Sequence, residues 1–450
     1  MQFPKDFVWG VATSAYQIEG AAVQDGRAPS IWDLYSKEPG KVFEGHNGDR
    51  ACDHYHRYEE DVILMEKLGV KAYRFSVSWS RVLPQGTGMV NEKGLWFYEE
   101  LVDSLLAHGI TPYLTLYHWD LPYALYQRGG WLSPESPHWF AEYASLLGRR
   151  FGDRVKHYMT FNEPQVFIGT AFSEGAHAPG YKVSRPQGLQ MAHHVMLAHG
   201  RAVQALRAAV PDARIGWAPT SNACVPVTRQ TVDVEAARSA YFSVQADDWA
   251  WSVTWWSDPV MLGKYPEDGL RAMETDLPRI GGRDMALIHQ PLDFYGQNIY
   301  RGVPTRAGAD GRPEHAPYPV GGPKTAIGWH VNFDCLYWGV KFLYERYHAP
   351  IYITENGMSA HDWPDAEGKV HDPQRIDYLR RHLAHLRQAC TEGVDVAGYF
   401  EWSLLDNFEW TRGYNDRFGL VYVDFETQAR IPKDSFAWYA RTIAENGENL

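Results

Sequence analysis

Thr160-Phe161-Asn162-Glu163-Pro164 and Ile353-Thr354-Glu355-Asn356-Gly357 each end an apolar, β-type run on a glutamate, just where the chain turns into a loop. Proline and glycine punctuate the two exits. In a barrel of alternating strands and helices, the C-terminal ends of the strands share one face, and that face carries the active site. Two carboxylates delivered there by different strands form a candidate catalytic pair. One alone would carry little weight, because strand-end carboxylates also cap a following helix or pair with a loop cation.

Working outward from these stretches, short apolar runs bounded by turn residues predict eight strands, over residues 8–13, 72–77, 111–117, 157–161, 214–218, 292–298, 350–354 and 396–402. Amphipathic stretches between them predict helices over 55–68, 94–108, 137–151, 189–209, 333–347 and 373–391. Parallel strands require such crossovers. The expected fold is therefore α/β: a single (β/α)8 TIM barrel over residues 1–450. No composition shift marks a second domain, and no short repeat suggests a solenoid. The longest stretch expected to be irregular, about 301–330, is rich in Gly and Pro and follows the sixth strand. Loops of that length are commonly functional.

Composition narrows the function. Hydrophobic residues make up 45% of the chain and charged residues 22%, the balance of a folded protein with a large core. A net charge of -12 and the absence of lysine or arginine blocks disfavour nucleic acid and anionic membrane as partners. Met1-Gln2-Phe3-Pro4 runs directly into Phe7-Val8-Trp9-Gly10 without a basic segment and apolar core, and no later run reaches the roughly 18 apolar residues of a membrane span. Cys52, Cys224, Cys335 and Cys390 are scattered and make no CxxC pair. Together these point to a cytoplasmic protein.

No metal or other cofactor is expected. The histidine pairs His54-x-His56 and His193-His194 match neither HExxH nor an i, i+4 pair. Gly86-x-Gly88 lacks the third glycine and the strand-to-helix setting of a dinucleotide loop. The aromatic content is more informative: 18 Trp, 27 Tyr and 19 Phe exceed what the core demands, which leaves some to face a cleft. Trp and Tyr offer flat apolar faces with a polar edge, suited to a sugar ring.

The chain resembles glycoside hydrolase family 1, the β-glucosidase family of (β/α)8 barrels. The resemblance rests on Phe7-Val8-Trp9-Gly10 with Ser14-Ala15-Tyr16-Gln17-Ile18-Glu19-Gly20, on Tyr73-Arg74-Phe75-Ser76-Val77-Ser78-Trp79-Ser80-Arg81 and on Tyr117-His118-Trp119-Asp120. It continues through both glutamate motifs to Glu401-Trp402-Ser403-Leu404-Leu405-Asp406-Asn407-Phe408-Glu409-Trp410. It implies a retaining β-glycosidase acting on small β-glucosides or short β-linked oligosaccharides, with galactose and fucose as further glycones.

The resemblance also implies roles. Glu163 would be the acid/base and Glu355 the nucleophile. Arg74 and Tyr300 would keep Glu355 ionised, Asn162 would bond the sugar 2-hydroxyl, and Asn298 would help hold the site. Gln17, His118, Glu409 and Trp410 would read the other ring hydroxyls, with Trp119 nearby and Trp402 beneath the ring. Trp329 would offer an aglycone platform, and Phe418 would border the pocket.

Three rival functions fit the same barrel. A phospho-β-glycosidase is disfavoured by Glu409, whose carboxylate would repel a 6-phosphate. A thioglucosidase would lack the acid that Glu163 supplies. A non-catalytic sugar binder on the same barrel is the third, because fold alone does not guarantee activity. The chain departs from the family pattern at Ile299, between Asn298 and Tyr300, where alternation turns residue 299 away from its neighbours. It departs again at Gln165-Val166-Phe167 and Ala171-Phe172, on the leaving-group side, so aglycone preference is the open question.

Overall fold

Strands buried on both faces read as near-continuous apolar runs, and parallel ones need a crossover between each pair. The computed structural model describes residues 2–450 and has both features. Eight strands form one sheet: β1 (Val8–Ala12), β2 (Ala72–Ser76), β3 (Thr111–Tyr117), β4 (His157–Asn162), β5 (Arg214–Ala218), β6 (Tyr295–Asn298), β7 (Ile351–Asn356) and β8 (Val396–Trp402). Every ladder is parallel, in the order β5-β4-β3-β2-β1-β8-β7-β6.

The first strand pairs with the last: Val8 opposes Gly398 and Ala12 opposes Trp402. At the remaining seam, between β5 and β6, the Asp293 N–H donates to the Ile215 carbonyl at 2.8 Å and the Asn298 N–H to the Pro219 carbonyl at 2.9 Å. The Ile215 N–H in turn donates to the Asp293 carboxylate at 2.8 Å. A side chain thus takes a ladder position, which explains why β6 begins at Tyr295 rather than at 292. The strand β7 runs two residues past its expected end and takes Glu355 into the ladder opposite Asn298.

Helices His54–Leu68, Glu92–Ala107, Ser136–Phe151, Arg185–Ala209, Cys335–Tyr347 and Pro373–Thr391 follow the expected crossovers. Helix Asp434–Ala444 follows β8 and returns to β1, where Tyr439 Oη donates to the Gly10 carbonyl at 3.0 Å. Ala12, Ala72, Tyr113, Met159, Ala218 and Phe400 form an apolar cluster with Phe294 and the partly buried Tyr352. Since every strand, or the residue entering it, contributes, this cluster fills the barrel and closes the floor under its mouth.

The stretch 301–330 is not irregular throughout. Gly302–Ala307 and Pro313–His315 pair antiparallel, and the first also pairs in parallel with Ala223–Pro226. Prolines and an exposed face hid the apolar alternation that marks a strand. This small sheet stands over the ends of β5 and β6. No helix among the described residues is long and apolar enough to cross a membrane.

Candidate active site

Period-2 alternation sends Arg74 of β2 to the same side as Ala72, into the barrel, so its guanidinium lies 1% exposed among the strand ends. Its Nη1 donates to Glu355 Oε1 at 2.6 Å and to the Thr354 carbonyl at 2.9 Å. Its Nη2 donates to Asn162 Oδ1 at 2.6 Å, and its Nε to Thr115 Oγ1 at 3.2 Å. The second oxygen of Glu355 accepts from Tyr300 Oη at 2.7 Å. A buried carboxylate so surrounded is held in one orientation.

Glu163 sits one residue beyond β4, with a φ of 47°. This left-handed conformation is unfavourable for a side chain with a Cβ. Trp119 (φ 76°) and Trp410 (φ 48°) share it. Each such residue costs on the order of 1–3 kcal/mol, and such strain gathers at functional sites. The turn after Glu355 has a different constraint: a Cβ on Gly357 would lie 1.8 Å from the Trp402 carbonyl oxygen, so only glycine lets β7 pass so close to β8.

Asn298 links the two glutamates. Its Nδ2 donates to Glu163 Oε1 at 2.8 Å and to Asn162 Oδ1 at 3.0 Å, while its Oδ1 accepts from Thr354 Oγ1 at 2.6 Å. It also favours the charged form of Glu355. Both carboxyls therefore lie within reach of one amide. Because Asn162 Oδ1 takes donors from Arg74 and Asn298, its Nδ2 faces outward, 3.0 Å from His118 Nε2. That nitrogen must accept, which puts the imidazole proton on Nδ1. Burial, followed by the Arg74 charge, holds His118 well below its ordinary pKa and hence neutral. Its buried Nδ1–H has no partner among the described residues.

These groups surround a cavity of about 310 Å³. His118, Trp119, Glu163, Tyr300, Trp329, Glu355, Trp402, Glu409, Trp410 and Phe418 all line it. Gln17, Arg74, Asn162 and Asn298 stand behind the wall, fully or almost fully buried. Gln17 Nε2 donates to Asn407 Oδ1 at 3.0 Å and to the Phe408 carbonyl at 2.9 Å, so it braces the segment that leads to Glu409. Trp410 stacks on Tyr16 at 6.1 Å and 9° and packs on Trp119 at 4.4 Å. Trp329 packs on Tyr300 at 5.3 Å. Ile299 is fully buried, facing away from the cavity in the core.

Sequence reasoning missed the opposite wall, which includes Thr220, Ser221 and Asn222 after β5, with Arg301 and Arg412. Position was the available signal, since these residues follow the fifth, sixth and eighth strands on the face where the glutamates lie. Among the described residues, no group of three or more His, Cys, Asp or Glu is arranged to hold a metal ion.

The carboxyls differ electrostatically. Burial, then the nearby Glu355 charge, raises the Glu163 pKa to about 8. Burial raises Glu355 too, but Arg74 and Tyr300 oppose it directly, so Glu355 is the first of the pair to ionise. Glu409, buried beside Asp416 and the pair, is raised to about 8.

Across residues 1–448 the chain matches the model of glycosyl hydrolase family 1. It belongs to that family. The similarity of this family 1 chain to individual members extends from end to end. β-Glucosidase A of Thermotoga maritima is 45% identical over 447 residues, which cover 99% of this chain and 98% of that one. A 1,4-β-D-glucan glucohydrolase of Thermotoga neapolitana is 44% identical, covering 99% of both. The structure of the T. maritima β-glucosidase in complex with glucoimidazole superposes with a TM-score of 0.91 at 44% identity, covering 99% of each chain.

Proposed function

We propose that this family 1 hydrolase is an exo-acting β-glucosidase, with fucose and galactose as further glycones, and that it works by retaining double displacement. The observation that carries the assignment of roles is the asymmetry of the carboxyl pair. Glu355 is met by a cation and a phenol, both of which favour its anion. Glu163 is met only by neutral hydrogen-bonding groups, the Asn298 amide and Thr220, while burial and its neighbour's charge favour the acid.

In the first step a Glu355 oxygen attacks the anomeric carbon while the glycosidic bond breaks. The proton of Glu163 passes to the departing oxygen. The ester that forms removes the Glu355 charge, and with it one of the causes that kept Glu163 protonated. Glu163 then takes a proton from water as the water oxygen attacks the anomeric carbon, which releases Glu355 and a β-configured sugar. The Glu409 carboxyl supplies a hydrogen-bonding group for ring hydroxyls, Trp402 supplies an apolar face, and the neutral His118 imidazole lines the same cavity. Arg74, Asn162 and Asn298 hold these groups from behind.

Substrates on this reading are short β-linked glucose oligosaccharides and small β-glucosides. A 6-phosphate is disfavoured because Glu409 shares the cavity with two further carboxyls. The whole chain acts as one catalytic unit, and four free cysteines support a reducing, cytoplasmic setting.

Glu355→Gly tests the assignment. Turnover should fall by about 10⁴-fold or more, and azide should restore it by forming an α-glucosyl azide. A folded mutant that azide fails to rescue would remove Glu355 from the attacking role.

A further inference from the structure

Arg301 follows Tyr300 and lines the same cavity, half-buried. Its Nε donates to Asn222 Oδ1 at 2.7 Å, and its guanidinium carbon lies 5.3 Å from the centre of the Trp329 ring. Neither contact supplies a counter-charge. Fully buried guanidinium groups have one: Arg74 pairs with Glu355, Arg81 with Glu19 and Arg375 with Asp362. Arg412, on the same cavity, pairs with Asp416 at 2.7 Å. Arg301 forms no ion pair among the described residues, and both of its terminal nitrogens lack a protein partner. Burial pushes its pKa down from the ordinary value, a sign that the cation has been partly stripped of water. An uncompensated cation in a substrate cavity is costly unless the ligand completes it.

The place of Arg301 determines which part of the ligand it meets. Thr220 acts on Glu163 directly, and Asn222 lies two residues further along the same loop. The departing oxygen must approach Glu163, so the leaving group lies against this loop and Trp329. Arg301 bridges the two.

The geometry points to Arg301 as a specificity-determining residue that selects aryl aglycones bearing a carboxylate. The aryl ring would rest near Trp329, and the carboxylate would accept from the two terminal guanidinium nitrogens. Without Arg301 such an anion would meet the repulsion of the ionised Glu355 with no cation to offset it. This inference rests on the β-glucosidase reading and refines its leaving-group side.

Two leaving groups of nearly equal basicity isolate the charge: the 4-(carboxymethyl)phenyl and 4-(carbamoylmethyl)phenyl β-D-glucosides. The ratio of kcat/KM for acid over amide should fall about tenfold in Arg301→Gln, as expected for a lost hydrogen bond to a charged group. In the wild type the ratio should also shrink on raising salt to about 0.5 M. A ratio unchanged by the substitution overturns the proposal.

Calorimetry of the free acid, 4-hydroxyphenylacetate, against its amide reads the same preference without turnover. If the wild type hydrolyses no β-glucoside, the β-glucosidase reading falls. The binding difference then decides Arg301 alone: its loss in Arg301→Gln upholds the anion site, and equal binding in both proteins refutes it.

Discussion

Arg74 and Glu355, 281 residues apart in sequence, meet at 2.6 Å with side chains 1% and 4% exposed. Taking two charges out of water is expensive, and their mutual attraction compensates only where the remaining hydrogen-bonding capacity is also met. Here it is. The guanidinium also serves Thr354, Asn162 and Thr115, and the second carboxylate oxygen takes the Tyr300 hydroxyl. The pair works as a clamp that keeps one glutamate charged and aimed while its neighbour stays protonated.

Tyr300→Phe removes one arm of that clamp. A hydrogen bond to a charged group is worth about 1.5–3 kcal/mol, so kcat should fall on the order of 10- to 100-fold. Because Tyr300 lowers the Glu355 pKa, the acid limb of the kcat/KM profile should move to higher pH. Steady-state kinetics across pH checks both effects, and a profile that does not move would mean that Tyr300 only packs.

Glu163→Ala should discriminate between leaving groups. A poor, alkyl aglycone needs a proton to depart, whereas an activated aryl one does not. Losses in kcat/KM should therefore be at least about 100-fold greater for alkyl glucosides. Equal losses for both would take away the acid role.

Turnover should decline as pH rises past about 8, where Glu163 gives up the proton that the first step needs. Protonation of Glu355 sets the limit on the acid side. The pair titrates as a unit, so the two limbs report apparent values for the dyad.

The same shift bears on stability. An unfolded Glu163 loses its proton near 4.5, while the folded one keeps it to about 8. Between those values the native state binds more protons, so the group's contribution to stability falls as pH rises through the window. Glu163→Gln should raise Tm over wild type, and by more at about pH 9 than at about pH 5. Thermal melts at the two pH values measure the difference.

The eight strands were legible because their signals are local: an apolar run is buried on both faces, and the breakers that end it follow within a few residues. Both glutamates could be located the same way, by Pro164 and Gly357. Most strand bounds fell within a residue of expectation, and the larger slips came where tertiary contacts extend or replace the ladder, as at Asp293 and at the end of β7. The paired strands within 301–330 were hidden by prolines and by a face turned to solvent.

The sequence by itself therefore determined the barrel, the face that carries the site and the two carboxylates on it. Tertiary structure alone decided how those carboxylates differ. Arg74, Asn162, Asn298 and Tyr300 come from β2, β4, β6 and the turn after β6, so their contacts exist only once the sheet has curled its strand ends together. A cation's partner is likewise a fact of three-dimensional packing. Nothing in the residues around Arg301 tells that it, unlike Arg74, meets no carboxylate among the described residues.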